Sequence, residues 1–107
     1  MNLQLHNTID TLIKKHKIIV FMKGEKTMPM CGFSNTVVKI LNSFNINYYT
    51  VNVLKNDDMR NAIKLYSQWP TIPQVYINGQ FIGGADIVLN LYEQSQLQEM
   101  LEKSINS

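Results

Sequence analysis

Five consecutive apolar residues, Ile18-Ile19-Val20-Phe21-Met22, stand between Lys17 and Lys23. No position in the run is polar, so it predicts a strand covered on both faces, as in a parallel sheet under helices. Around it the apolar period changes. Ile9, Leu12 and Ile13 recur at three- and four-residue steps. They predict a helix opening at Asn7, with Asp10 answering the cap, and closing under Lys14, Lys15 and Lys17. Val37, Val38, Ile40, Leu41 and Phe44 predict a second helix over about 33–44. Tyr48 to Val53 reads as a second strand, and 24–30 between these elements as a loop. Asn56-Asp57-Asp58 opens a third helix, with Met59, Ile63 and Tyr66 as its core face. Pro70 and Pro73 forbid helix and force extended backbone before each of them. Gln74–Ile77 and Gln80–Ile82 flank Asn78-Gly79, a strong hairpin signal. Gly83-Gly84 breaks the second of these strands. Asp86 then caps a helix carrying Ile87, Val88, Leu91 and Tyr92. Ser95 with Gln98 forms a capping box for a last helix carrying Leu97, Met100 and Leu101.

The order α-β-α-β-α-β-β-α-α predicts an α/β fold in one domain over 1–107. The first crossover favours parallel strands joined right-handedly, and the hairpin adds an antiparallel pair. The result is a four-stranded mixed sheet with helices on both faces.

Composition narrows the function classes. An apolar fraction of 45% suffices for one core. A net charge of +2 without a dense basic stripe speaks against a nucleic-acid partner. No apolar run approaches the roughly 20 residues of a membrane span. The N-terminus has neither a basic start before a long apolar stretch nor an Arg-rich segment, so neither a secretory signal nor a transit peptide is expected. One cysteine excludes an intrachain disulfide and points to a reducing compartment, the cytoplasm, or an organelle matrix after processing.

That cysteine, Cys31, carries the candidate chemistry. A lone cysteine is ordinarily a small buried apolar residue. Here Pro29, Gly32 and Ser34 mark a turn and a helix start instead. The first helical turn offers unpaired N–H groups and the positive end of the dipole, both of which favour a thiolate. The histidines, His6 and His16, flank the first predicted helix, and a cysteine hydrolase would need one of them beside the thiol. On residue type alone, Arg60 is a surface partner of Asp57, Lys23 is a solvated strand end, and Met28 and Met30 rim the cysteine.

These residues fall into four blocks: Met22-Lys23-Gly24 followed by Pro29, Cys31-Gly32-Phe33-Ser34, Trp69-Pro70-Thr71-Ile72-Pro73, and Gly83-Gly84-Ala85-Asp86. In this order the chain resembles the monothiol glutaredoxins of the thioredoxin-like fold, from about Ile18 to Leu101. The resemblance implies that Cys31 is the working thiol and that glutathione is bound beside it. Ser34 holds the position of a resolving cysteine, so a mixed disulfide with glutathione is the disulfide open to Cys31. By the same resemblance Pro73 is cis, and the Ile72 backbone pairs with the cysteinyl part of glutathione, with Phe33 and Thr71 beside it. Asp86 meets the γ-glutamyl amino group. The N–H groups of Ala85 and Asp86 suit its carboxylate, and Gly84 allows close approach. Lys23 and Arg60 take the glycine carboxylate, and Trp69 packs at the edge. The resemblance further implies a [2Fe-2S] cluster in a homodimer, held by two Cys31 thiolates and two glutathione thiolates. Such a dimer would pass its cluster to apo iron–sulfur proteins and pair with a BolA-like protein. Relatives often carry a cysteine where this chain has Ala85. The alternative function is a glutathione-dependent thiol–disulfide oxidoreductase working by monothiol deglutathionylation, expected to be weak at most in this family.

Overall fold

The computed structural model describes residues 2–107. In chain order the elements are α1 (Leu3–Lys15), β1 (Ile18–Met22), β2 (Gly24–Glu25), β3 (Met28–Pro29), α2 (Gly32–Ser43) and β4 (Tyr49–Asn52). A 3-10 turn (Val53–Lys55) follows, then α3 (Asp57–Ser67), β5 (Gln74–Ile77), β6 (Gln80–Gly83), α4 (Ala85–Glu93) and α5 (Gln96–Ile105). The main sheet runs β4-β1-β5-β6. β1 is parallel to β4 and antiparallel to β5, and β5 is antiparallel to β6. This is the expected mixed α/β sheet, with β1 central and all five of its residues buried. Burying each such side chain contributes about 1.5–3 kcal/mol, which makes β1 the largest single block of the core.

The alternation of β1 divides that core in two. Ile18, Val20 and Met22 pack with α2, α4 and α5 through Val37, Leu41, Val88, Leu97 and Leu101. Ile19 and Phe21 pack with α1 and α3 through Ile9, Ile13, Met59 and Ile63. So α1 and α3 cover one face, and α2, α4 and α5 the other. On the first face the Tyr66 hydroxyl donates to Asp10 at 2.9 Å, tying α3 to α1.

The structure corrects the sequence reading at several ends. α1 begins a turn earlier than Asn7, because Leu5 extends the apolar stripe and the Asn2 side chain accepts the Leu5 N–H at 3.1 Å. His6 is therefore inside the helix, against the Tyr66 ring at 4.9 Å. Residues 24–30 hold a two-stranded hairpin rather than an unstructured loop. Asn52 pins it: its Oδ1 accepts the N–H groups of Gly24 and Leu54, both at 3.0 Å. Val53 leaves the strand for the 3-10 turn, and Tyr66 is half-buried. Asp86 is not the cap of α4; Gly84 is, and Asp86 lies in the first turn. Ser95 takes a left-handed conformation (φ 61°) in the tight α4–α5 joint. Its side chain makes no capping bond, so the expected capping box does not form.

Candidate functional site

Cys31 is the N-cap of α2 and is partly buried. Its sulfur accepts the Ser34 N–H at 3.3 Å and lies 3.2 Å from the Ser34 hydroxyl. Ser34 is fully buried, and its Oγ accepts the Lys23 N–H at 3.1 Å. That bond occupies the oxygen from one side, so the hydroxyl proton is free to point at the sulfur. Burial pushes the Cys31 thiol up. Against it act the Ser34 hydroxyl, the Ser34 and Phe33 N–H groups and the Lys23 charge. Together they bring the thiol below its ordinary value. Sequence position alone suggested a helix-start thiolate. The structure adds that a serine hydroxyl at the place of a second cysteine is its main side-chain partner.

An expected result follows. The rate of alkylation by iodoacetamide should titrate below the ordinary thiol range in the native chain. In Ser34→Ala the profile should move to higher pH. A thiol depressed in the folded state adds stability above its unfolded value, and that increment is lost as pH falls through the folded value. Ser34→Ala should shrink this increment in urea melts compared above and below that range.

Beside the cysteine lies a cleft of about 370 Å3. Lys23 and Phe33 line one part of it, Thr71, Ile72 and Pro73 a second, and Ala85 and Asp86 a third. Seven of the ten sequence-predicted site residues thus meet in one cavity. The Ile72–Pro73 bond is cis. Cys31 is joined to the cleft through Ser34 and Lys23 rather than lining it. Gly84 lies behind the wall, where a Cβ would come within 3.2 Å of the Pro73 carbonyl. Arg60 does not line the cleft. Its guanidinium pairs with Asp57 at 3.2 Å, and its Nε is buried without a partner.

Two lining residues were missed from sequence, Lys64 and Pro70. Lys64 stands four positions after Arg60, on the same side of α3 and one turn nearer the 69–73 segment. Its carbonyl accepts the Trp69 N–H at 3.2 Å. The i,i+4 relation to Arg60 was the available signal.

The cleft crosses the end of the sheet from the α3 side to the α4 side, with Lys64 toward one end and Asp86 toward the other. Around Cys31 the surface is apolar and open: Met28, Met30 and Phe33 are 67%, 61% and 63% exposed. Neither histidine serves the thiol. His16 stacks on Tyr49 at 3.9 Å, at the end of β1 away from Cys31, and His6 packs on Tyr66. Among the described residues no group of three or more His, Cys, Asp or Glu side chains could hold a metal ion. No helix among them is long and apolar enough to cross a membrane.

A thioredoxin-like sheet with one cysteine at the start of α2 and a proline-walled cleft beside it defines a class of thiol protein. The family model for glutaredoxin matches residues 18–82. An uncharacterized monothiol glutaredoxin of Synechocystis is 53% identical over 107 residues, covering all of both chains. A chloroplastic monothiol glutaredoxin, S14, of Arabidopsis thaliana is 48% identical over 104 residues. That match covers 97% of this chain and 60% of the relative. The solution structure of reduced poplar apo GrxS14 superposes with a TM-score of 0.84 at 48% identity, covering 96% of this chain and 94% of that one. The chain belongs to the glutaredoxin family, among its monothiol members. Glutathione is the thiol that family uses.

Proposed function

We propose that the chain is a carrier of [2Fe-2S] clusters, which it holds as cargo in a glutathione-ligated homodimer and passes to apo proteins. The observation that carries this reading is the pairing of one activated thiol with a tripeptide-sized cleft and an exposed apolar rim. Glutathione carries an ammonium and a carboxylate at its γ-glutamyl end and a carboxylate at its glycine end. Asp86 suits the ammonium, and the α4 N-terminus suits the adjacent carboxylate. Lys23 and Lys64 suit the glycine carboxylate. A ligand so placed runs past the Thr71–Pro73 wall with its thiol toward Cys31.

A [2Fe-2S] centre takes four ligands, usually thiolates. This chain contributes one cysteine, so the rest come from outside. A bound glutathione supplies a second, and another copy with its own glutathione supplies two more. Exposed Met28, Met30 and Phe33 give that copy an apolar surface to meet. A BolA-like protein could occupy the same face in place of the second copy. The chloroplastic relative makes an organelle matrix a reasonable location beside the cytoplasm.

The second reading, a glutathione-dependent oxidoreductase, is favoured by the depressed thiol. In that reaction the Cys31 thiolate attacks the glutathione sulfur of a mixed disulfide. The Cys31–glutathione bond forms as the substrate leaves as a thiolate and takes up a proton. A second glutathione thiolate then attacks the Cys31–glutathione disulfide. Oxidised glutathione leaves, and Cys31 returns as a thiolate.

Anaerobic reconstitution with ferrous iron, sulfide and glutathione separates the two readings. Visible absorption travelling with a dimer in size exclusion, lost on removal of glutathione, supports the carrier. A colourless monomer that reduces glutathione mixed disulfides briskly supports the oxidoreductase.

The cleft also makes a prediction about its cationic end. Lys64→Gln should weaken glutathione binding about tenfold, as loss of a hydrogen bond to a charged group does. Arg60→Gln should weaken it less, since Arg60 is already paired with Asp57. Competition by glutathione against alkylation of Cys31 measures both.

A further inference from the structure

Gln74 opens β5 and is fully buried, yet it is neither a lining residue nor a packing residue by chemistry. Its Nε2 donates to the carbonyls of Trp69 at 3.1 Å and Thr71 at 3.3 Å. Its Oε1 accepts the Tyr76 hydroxyl at 3.3 Å, which fixes the amide the right way round. Both amide protons are therefore spent on the segment that walls the cleft. That segment contains Pro70 and Pro73 and so has few N–H groups of its own to anchor it.

The consequence lies in one peptide plane. Across a trans peptide the C=O and the following N–H point in opposite directions. Gln74 draws the Thr71 carbonyl inward, so the Ile72 N–H faces away from Gln74. Ile72 lines the cleft, and its N–H has no protein acceptor among the described residues. We propose that Gln74 is a positioning residue that locks the Thr71–Ile72 peptide with its N–H offered to the backbone of a bound peptide thiol. This rests on the reading that the cleft takes glutathione.

A carboxamide is the side chain that fits this task. Glutamate at 74 would set a carboxylate against two carbonyl oxygens, with no donor for either. Methionine keeps the length and loses both donors. With Gln74→Met the plane is free to turn, and the ligand loses its backbone partner.

The test uses the full chain equilibrated with reduced and oxidised glutathione, with the Cys31 mixed disulfide measured by intact mass. A parallel set uses β-mercaptoethanol and its disulfide, which lack the peptide. Iodoacetamide alkylation against pH reports the thiol alone. The native chain should favour glutathione over β-mercaptoethanol. Gln74→Met should cut that preference about tenfold and leave the alkylation profile in place. A change that moved alkylation equally would mark a general loosening of the site and overturn the proposal. A native preference that Gln74→Met leaves intact would overturn it too. A native chain with no preference for glutathione would overturn the reading of the cleft, and the proposal with it. Tyr76→Phe removes only the hydroxyl that holds the Gln74 oxygen, so it serves if Gln74→Met does not fold. It should lower the preference in the same direction, and an unchanged preference there overturns the proposal.

Discussion

Cys31→Ser is expected to leave a colourless monomer under conditions that colour the native chain. The loss should be complete rather than graded. The chain has no other cysteine, and the described residues hold no alternative cluster of metal-binding side chains. A serine hydroxyl at this N-cap remains protonated at neutral pH and is a hard oxygen donor where iron–sulfur centres take thiolates. The same variant should form no mixed disulfide with glutathione, seen as the absence of the adduct by intact mass. Stability should change little, because serine is itself a favoured N-cap and can accept the Ser34 N–H as the sulfur does. Loss of colour in a chain with a native melting temperature therefore isolates chemistry from folding. A variant that still bound cluster at dimer size would place the ligand elsewhere and overturn the carrier reading.

Much of this site was legible because its residues are punctuated by backbone chemistry. Pro70 and Pro73 announce an extended segment, Gly83-Gly84 a break, and Gly32-Phe33-Ser34 a helix start, while the family resemblance, not the spacing, brought these three segments together as walls of one cleft. The unbroken run of β1 likewise announces a covered strand. What stayed hidden depends on distances across the fold. Lys64 and Arg60 are both cations on one face of α3, and only the packing of α3 on the sheet decides which reaches the cleft. Gln74 reads as an ordinary strand residue until its amide is seen to hold two carbonyls of the preceding segment. The start of α1 was misread for a related reason: Asn7 is a good capping type, but Leu5 extends the packed face by a turn and Asn2 takes the cap. Ser95 does precede α5 as expected, yet its left-handed backbone in the short α4–α5 joint keeps its side chain from the capping bond.

The hairpin at residues 24–30, invisible in the periodicity, depends on a glycine. Gly24 has φ of 95°, and a Cβ there would come within 2.6 Å of both the Met28 oxygen and the Met30 nitrogen. Both are backbone atoms of the returning strand, so a rotamer change relieves neither contact. An alanine must take on the left-handed penalty, about 1–2 kcal/mol, and an overpacking cost of about 1–3 kcal/mol besides. Gly24→Ala is therefore expected to destabilise the chain by about 2–5 kcal/mol, a large share of the roughly 5–15 kcal/mol that holds such a domain. For a domain near this size that is a fall in melting temperature of about 10–25 °C. Gly32→Ala is the contrast: a Cβ there meets nothing within 4 Å, and its melting temperature should stay within a few degrees of native. The functional loss in Gly24→Ala should exceed what instability explains. The Met30 N–H donates to the Lys23 carbonyl at 2.9 Å, and Cys31 follows directly. Forcing β2 and β3 apart displaces Met28 and Met30 from the rim and disturbs the approach to the thiol. Measured well below its melting point, Gly24→Ala should assemble less coloured dimer than native chain. Full assembly at that temperature would show that the rim tolerates a displaced hairpin and that the apolar contact lies elsewhere.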